Sequence, residues 1–337
     1  MMQSNRLTLD YAEPEDVLPC LKQISGSENW RSVRLLGNNG SQSTYKIKTW
    51  AGACYHLRLG QASSTEHIQT EGYLIDGVYQ VLDQQNLMIT PALKLVACGR
   101  CHQDCRSYLL THWVDGRPGS QHIRHLDQAQ EYRLGISAGL TLSAVHCLAG
   151  PVDTMPWVEQ IAKRCRQLES GLPPVMKQQK AVAAALSFLD NNRSVVRNRP
   201  VRVLYNNLSW DHMVMYQDVA TILVNFSQWR YGDPLYDLAP VLTDLSRTSI
   251  PFASGLLDCY LSQRVNTRTM RPIVYYAVLR ALERLQRVHE RKMPDATAVR
   301  NIERLAENTD GFGQIVPRWY PLRRRWQHDT DTLWTGG

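Results

Sequence analysis

Gly232-Asp233-Pro234-Leu235-Tyr236-Asp237-Leu238-Ala239 is the stretch on which the reading of this chain turns. It follows a β-type run, Ala220 to Phe226, that closes on Val224-Asn225-Phe226-Ser227. A second such run, Val201 to Tyr205, lies upstream, and Met213 to Tyr216 between them reads as a hairpin strand. Helical spacing resumes downstream. Between Ile273 and His289, apolar residues recur at Val274, Ala277, Val278, Ala281, Leu282, Leu285 and Val288, which predicts a long amphipathic helix packed for structure.

Further upstream the pattern stays helical back to about Gly116 and Pro118, with predicted helices over Leu126 to Leu148, Pro156 to Leu168 and Lys177 to Asn191. Pro156 suits a first-turn position. Before residue 115 the period changes to short β-type runs: Val33 to Leu36, Thr44 to Lys48, Cys54 to Leu59, Leu93 to Ala97 and Ser107 to Trp113. One helix, Glu66 to Leu82, sits between the third and fourth. This order lacks the strict alternation of a doubly wound sheet. The expected class is α+β with two lobes: a five-stranded antiparallel sheet with one helix over 1–114, and a mostly helical lobe over 115–337.

The chain has 337 residues, of which 43% are hydrophobic and 20% charged, a balance that excludes a disordered chain. No apolar run approaches the roughly 20 residues of a spanning helix, and the polar start Met1-Met2-Gln3-Ser4-Asn5-Arg6 lacks a signal peptide's apolar core. A cytoplasmic protein with no membrane partner is expected. Eight cysteines are too sparse for a disulfide scaffold. Cys98, Cys101, His102 and Cys105 carry zinc-type donors but form no second knuckle, so no zinc site is expected. The formal charge is +7, and its densest part is Arg318, Arg323, Arg324 and Arg325. That tail could dock an acidic partner. Without a nucleic-acid fold signature beside it, nucleic acid is not expected.

Gly37, Gly40 and Ser41 sit in a loop between two strands where backbone N–H groups could meet a phosphate, although a plain hairpin turn needs the same residues. Arg58 ends the third strand and Glu71 lies on the following helix, where its carboxylate could hold the guanidinium beside that loop. The alternatives are a surface charge, a solvated helix residue, and Glu66 as competing partner.

The glycine-to-alanine stretch quoted first resembles that of the aminoglycoside phosphotransferase and choline/thiamine kinase family, which has Gly-Asp-Pro-x-x-Asp-Leu-Ala there, and it matches at every fixed position. The resemblance runs from about Arg34 to Arg291 and includes His146. It implies a protein-kinase-like bilobal fold, a cation at Arg58 that positions ATP, a hinge-like segment at Thr111, His112 and Trp113, and an Asp237 that braces a catalytic loop from a helix start. The family's loop is His-Gly-Asp-x-x-x-x-Asn, followed by a strand that ends in a metal-binding Asp. Here the loop reads Tyr205-Asn206-Asn207-Leu208-Ser209-Trp210-Asp211-His212. Asn207 thus stands for the base, His212 for the metal-binding Asn and Asn225 for the metal-binding Asp.

Mg²⁺ is usually bound through one or two carboxylates, and an Asn cannot accept a proton at neutral pH. Nitrogen at His212 suits transition metals better. The expected protein is therefore a pseudokinase that binds a small ligand or a partner protein with little or no phosphoryl transfer. No cofactor is expected, and ATP, if held, is held without Mg²⁺. The alternative is an active ATP-dependent phosphotransferase on a small hydroxyl compound, with Asp211 or Asp218 substituting for the lost acids. Against Asp211 stands the alternation of an extended segment, which turns neighbouring side chains to opposite faces.

Overall fold

The computed structural model describes residues 24, 26–85, 92–101, 106–151 and 156–323. They fall into two compact units that part between Asp115 and Gly116. The first holds β1 (Trp30–Asn38), β2 (Gln42–Thr49), β3 (Cys54–Gly60), β4 (Leu95–Arg100) and β5 (Ser107–His112), with α1 (Thr65–Gln84) between β3 and β4. All neighbours pair antiparallel in the order β1-β2-β3-β5-β4. Alternation places Tyr45, Ile47, Leu57 and Leu59 in one core with Trp30 and Val33. On the other face α1 presses close. A Cβ on Gly72 would come within 2.5 Å of the Cys98 Sγ, so only glycine allows this approach, which sets the neighbouring Glu71 against β3.

The second unit is built from α2 (Gln128–Cys147), α3 (Trp157–Gly171), α4 (Lys180–Asn191), α5 (Ile250–Tyr260), α6 (Thr267–Glu290) and α7 (Ala296–Asn308). Asp127 and Gln130 close a capping box on α2. A Cβ on Gly135 would lie 2.1 Å from the Phe252 carbonyl, and one on Gly255 equally close to the Tyr132 carbonyl, so α2 and α5 meet backbone to backbone. Two small sheets complete the unit: β6 (Arg117–Pro118), β8 (Met213–Tyr216) and β9 (Ala220–Leu223) in one, β7 (Arg202–Leu204) and β10 (Arg230–Gly232) in the other. The Thr221 hydroxyl donates to the Leu134 carbonyl at 2.9 Å, and the Thr221 N–H to Ser137 at 2.9 Å, which docks β9 on α2. Among the described residues no helix is long and apolar enough to cross a membrane.

Several predicted boundaries move. Pro156 is the cap, with extended backbone, and the helix starts at Trp157. The helix predicted from Lys177 to Asn191 is interrupted because Gln179 turns extended to cap α4, after a separate turn at Pro174–Lys177. The strand predicted to end at Phe226 ends at Leu223, since Asn225 takes a left-handed φ of 61° and Phe226–Gln228 form a 3₁₀ turn. β6 and β10 were not anticipated; pieces of two and three residues show no alternation.

Candidate functional site

Asp237 is buried to 1% exposure at the start of a short helical turn, Pro234–Leu238. Its carboxylate accepts the N–H of Tyr205 at 2.6 Å and of Asn206 at 3.0 Å, and lies 3.1 Å from His146 Nε2. His146 Nδ1 in turn lies 2.6 Å from the Tyr260 hydroxyl. Burial, then the charges of Asp237 and Asp233, push that phenol above its usual range. Asp233, fully buried, accepts from Arg199 at 2.6 and 3.2 Å, from the Tyr276 hydroxyl at 2.7 Å and from the Leu235 N–H at 3.2 Å. Each carboxylate has donors enough to offset the loss of water.

Tyr205 adds to this frame. Its side chain is buried, and its hydroxyl donates to the carbonyl of Val224 and lies 3.2 Å from that of His212, tying the loop to the end of β9. Asn206 holds a φ of 55°, a conformation that asparagine tolerates better than most residues.

The side chains at the substituted positions bond to backbone carbonyls and to neighbouring hydroxyls. Asn207 Nδ2 donates to the Asn225 carbonyl at 2.8 Å, and Asn225 Oδ1 accepts from the Ser227 hydroxyl at 2.7 Å. His212 Nδ1 lies 3.0 Å from the Ser209 hydroxyl and 3.2 Å from the Asn207 carbonyl. This donor set does not fit Mg²⁺: the Asn207 amide turns an N–H to the Asn225 backbone carbonyl, and neither asparagine side chain carries charge. Among the described residues no group of three or more His, Cys, Asp or Glu side chains is disposed to hold a metal.

Asn206, Asn207 and Asp211 line one cavity of about 500 Å³ with Arg124, Arg280 and Arg284. The alternation argument against Asp211 fails here, because Trp210–His212 is a 3₁₀ turn and not extended. Asp218 is different. It sits at the turn of the β8–β9 hairpin, the far end from both Asn207 and Asn225, and its carboxylate pairs with His122. Of the two candidate substitute acids, only Asp211 shares a wall with Asn207.

In the first unit, Arg58 and Glu71 form an ion pair at 5% and 1% exposure; the pair joins Arg58 Nη2 to Glu71 Oε2. Arg58 Nε and Glu71 Oε1 are buried with no hydrogen-bond partner among the described residues. That orphan N–H is a fit for an anion. The loop ahead of it is less open than its glycines suggest. The N–H groups of Gly40, Ser41 and Gln42 donate to Asn38 and Asn39 side chains at 2.8, 3.2 and 2.8 Å, so a hairpin turn satisfies its own amides. Gly37 lies in β1 beside Thr44. Asn38, Gly40, Ser41, Gly60 and Arg106 still border a cavity of about 420 Å³. At the hinge-like segment, Thr111 is buried, the His112 N–H donates to Lys94 and the Trp113 N–H to Cys54, both at 2.9 Å. The Trp113 ring instead holds the Lys46 ammonium, 3.8 Å from its centre.

Two sequence features lie partly outside the described residues: His102 and Cys105 of the Cys/His cluster, and Arg324 and Arg325 of the basic tail. Within them, Arg318 pairs with Asp310 at 2.8 Å, and Arg323 lies 3.4 Å from Asp258 and stacks on Tyr320.

A family model described as the phosphotransferase enzyme family matches residues 32–273, well over half of the chain. Solved structures agree in fold. A thermostable mutant of aminoglycoside phosphotransferase APH(4)-Ia, apo form, is 13% identical with a TM-score of 0.58, covering 84% of this chain and 96% of that one. The GDP complex of a point mutant of aminoglycoside 2'-phosphotransferase-IIIa is 15% identical with a TM-score of 0.59, covering 87% and 96%. The ADP-bound APH(2'')-Ib is 14% identical with a TM-score of 0.52, covering 89% and 96%. No curated protein matches by sequence. The protein-kinase-like α+β fold is that of these neighbours.

Proposed function

The chain belongs to the phosphotransferase enzyme family, and from that premise we propose that it is a pseudokinase, which keeps the family's scaffold to bind a small ligand or a partner protein and transfers little or no phosphate. The observation that carries this is the bond from the Asn207 amide to the Asn225 carbonyl. It joins the two positions where the family has its base and a metal ligand, and it uses an uncharged donor to do so. General-base catalysis is worth roughly 10²- to 10⁴-fold, and an amide cannot supply it. A nucleotide, if bound, would meet Arg58, whose Nε is free of partners among the described residues, and would do so without Mg²⁺.

Calorimetry with ATP, run once with Mg²⁺ and once with EDTA and followed by an ADP-release assay, tests the reading. Metal-independent binding without turnover, or no binding, is the expected result. Metal-dependent binding with turnover sinks it. The rival, an active phosphotransferase, draws support from Asp211, which lines the cavity of Asn207. On that reading Asp211→Asn abolishes ADP release.

A further inference from the structure

Four arginines of α6 and its end, Arg280, Arg284, Arg287 and Arg291, follow one another at spacings of four, three and four residues, which puts them on one helix face. A row of like charges at this spacing opposes helix formation. Across from it stand Arg164 on α3 and Arg230 on β10. All six border one cavity of about 630 Å³, large enough for a small organic ligand, whose acidic lining is limited to Asp244 and Glu283. Six arginines against two carboxylates leave an excess of four positive charges.

Both carboxylates are engaged. Glu283 accepts two bonds from Arg164, each at 2.6 Å, and Asp244 lies 3.4 Å from Arg284. Arg230, Arg280, Arg287 and Arg291 have no carboxylate partner among the described residues. For Arg287 and Arg291 a helix C-terminus is a sufficient reason to be cationic. For the other two it is not. Arg230 Nε and Nη2, Arg280 Nη1 and Arg164 Nη1 are buried with no hydrogen-bond partner among the described residues.

Stacking does not account for them. Arg164, Arg230 and Arg280 surround the single ring of Tyr236 at 5.0, 4.4 and 4.9 Å from its centre. Such contacts do not replace the hydrogen bonds that buried guanidinium N–H groups give up. The crowded charges act on the ring they surround. Burial would raise the Tyr236 phenol, yet Arg280, Arg164 and Arg230 outweigh it and hold the phenol below its ordinary value. Burial also lowers the Arg230 guanidinium, with Tyr236 opposing and Arg164 and Arg280 adding to the fall.

We propose that this cavity is a binding site for a small polyanion of three to four negative charges, carried on phosphate groups. Guanidinium forks match phosphate oxygens in pairs, and the charge excess matches an organic bisphosphate or a polyphosphate better than a single carboxylate. The site shares Asn206, Asp244, Arg280 and Arg284 with the cavity of Asn207, so ligand and degenerate loop adjoin. The inference gives the proposed binding role its ligand class and rests on that reading only for its purpose. A protein that turned over ATP would still bind the polyanion.

The test is calorimetry with sodium tripolyphosphate in EDTA at fixed ionic strength, with orthophosphate and citrate as comparison anions. Tripolyphosphate is expected to bind at least tenfold more tightly than either. Arg230→Met and Arg280→Met should each weaken it at least tenfold while leaving Tm equal or higher, because each removes buried N–H groups that meet no acceptor among the described residues. Arg287→Gln, at an exposed position, should weaken it severalfold, and Arg268→Gln, outside the cavity, should not. No binding by wild type, or equal losses for Arg268→Gln and Arg280→Met, overturns the site. Citrate binding as tightly as tripolyphosphate overturns the choice of phosphate. Absence of ADP release bears on the pseudokinase reading alone.

Discussion

The helical unit treats its buried charges in two opposite ways. Asp237, at 1% exposure, is met by two backbone N–H groups and faces an imidazole nitrogen, all from its own chain. Arg230 and Arg280, in the same unit, are half-buried, with buried nitrogen atoms that meet no acceptor among the described residues. A buried charge answered from within is scaffold, since its cost is offset once the chain has folded. A buried charge left unanswered is a cost that folding alone does not recover, and it points to a species that arrives later. The loop itself lies between these cases. Its backbone is braced by Asp237, while Asn207 stands where the resemblance implies an acid.

The largest expected effect breaks the answered side. Asp237→Ala leaves two N–H groups of the loop and His146 without their acceptor, and should cost about 3–5 kcal/mol of stability in urea unfolding. Substitutions on the unanswered side, such as Arg280→Met, should cost nothing. If both cost the same, the distinction drawn here has no energetic content.

That contrast was only half legible in the sequence. The strands of the first unit and α1 followed from period, because alternation and helical spacing record burial directly, whereas the pairing of Arg58 with Glu71 was one of several alternatives that position left open. Asp237 as a brace came from resemblance, since nothing local says which backbone amides a carboxylate will meet. The arginine row was in plain view at positions 280, 284, 287 and 291, but the apolar face of the same helix hid it, and α6 read as purely structural. Arg230 and Arg164 join that row only through the fold. The alternation applied to Asp211 fails for a related reason: a 3₁₀ turn at Trp210–His212 does not alternate faces.

A smaller effect sharpens the comparison in the first unit, where Arg58 is only partly answered by Glu71. His56 lies two residues from Arg58 on β3, so both side chains leave the same sheet face. Burial, and then the Arg58 charge, lower its pKa to about 4. Between pH 6.5 and about 4 the unfolded chain binds more protons at this residue than the folded one. Its contribution is therefore complete above pH 6.5 and lost as pH falls toward 4. With partial solvent screening the loss is about 2 kcal/mol. His56→Gln should flatten that part of the stability–pH profile from denaturant unfolding. An unchanged slope would mean that Arg58 is better neutralised than its single ion pair indicates.

The smallest effect concerns the loop between the two extremes. Asn207 Nδ2 donates to the Asn225 backbone carbonyl at 2.8 Å, so an uncharged N–H stands where the resemblance implies an acid. Asn207→Asp removes that donor and sets a carboxylate against a carbonyl, and adding Asn225→Asp puts a second carboxylate on the residue whose backbone carbonyl it faces. Like charges that close raise each other's energy until a cation separates them. The double variant should therefore be less stable than wild type in EDTA and regain stability with Mg²⁺. Its ATP affinity should become Mg²⁺-dependent by about tenfold, or 1.4 kcal/mol. Calorimetry and thermal unfolding with and without Mg²⁺ read both effects. If neither appears, the introduced acids have been neutralised by Arg124, Arg280 and Arg284, which border the same cavity. The loop would then have been recast electrostatically for an anion, and restoring two side chains would not be enough to recover a metal site.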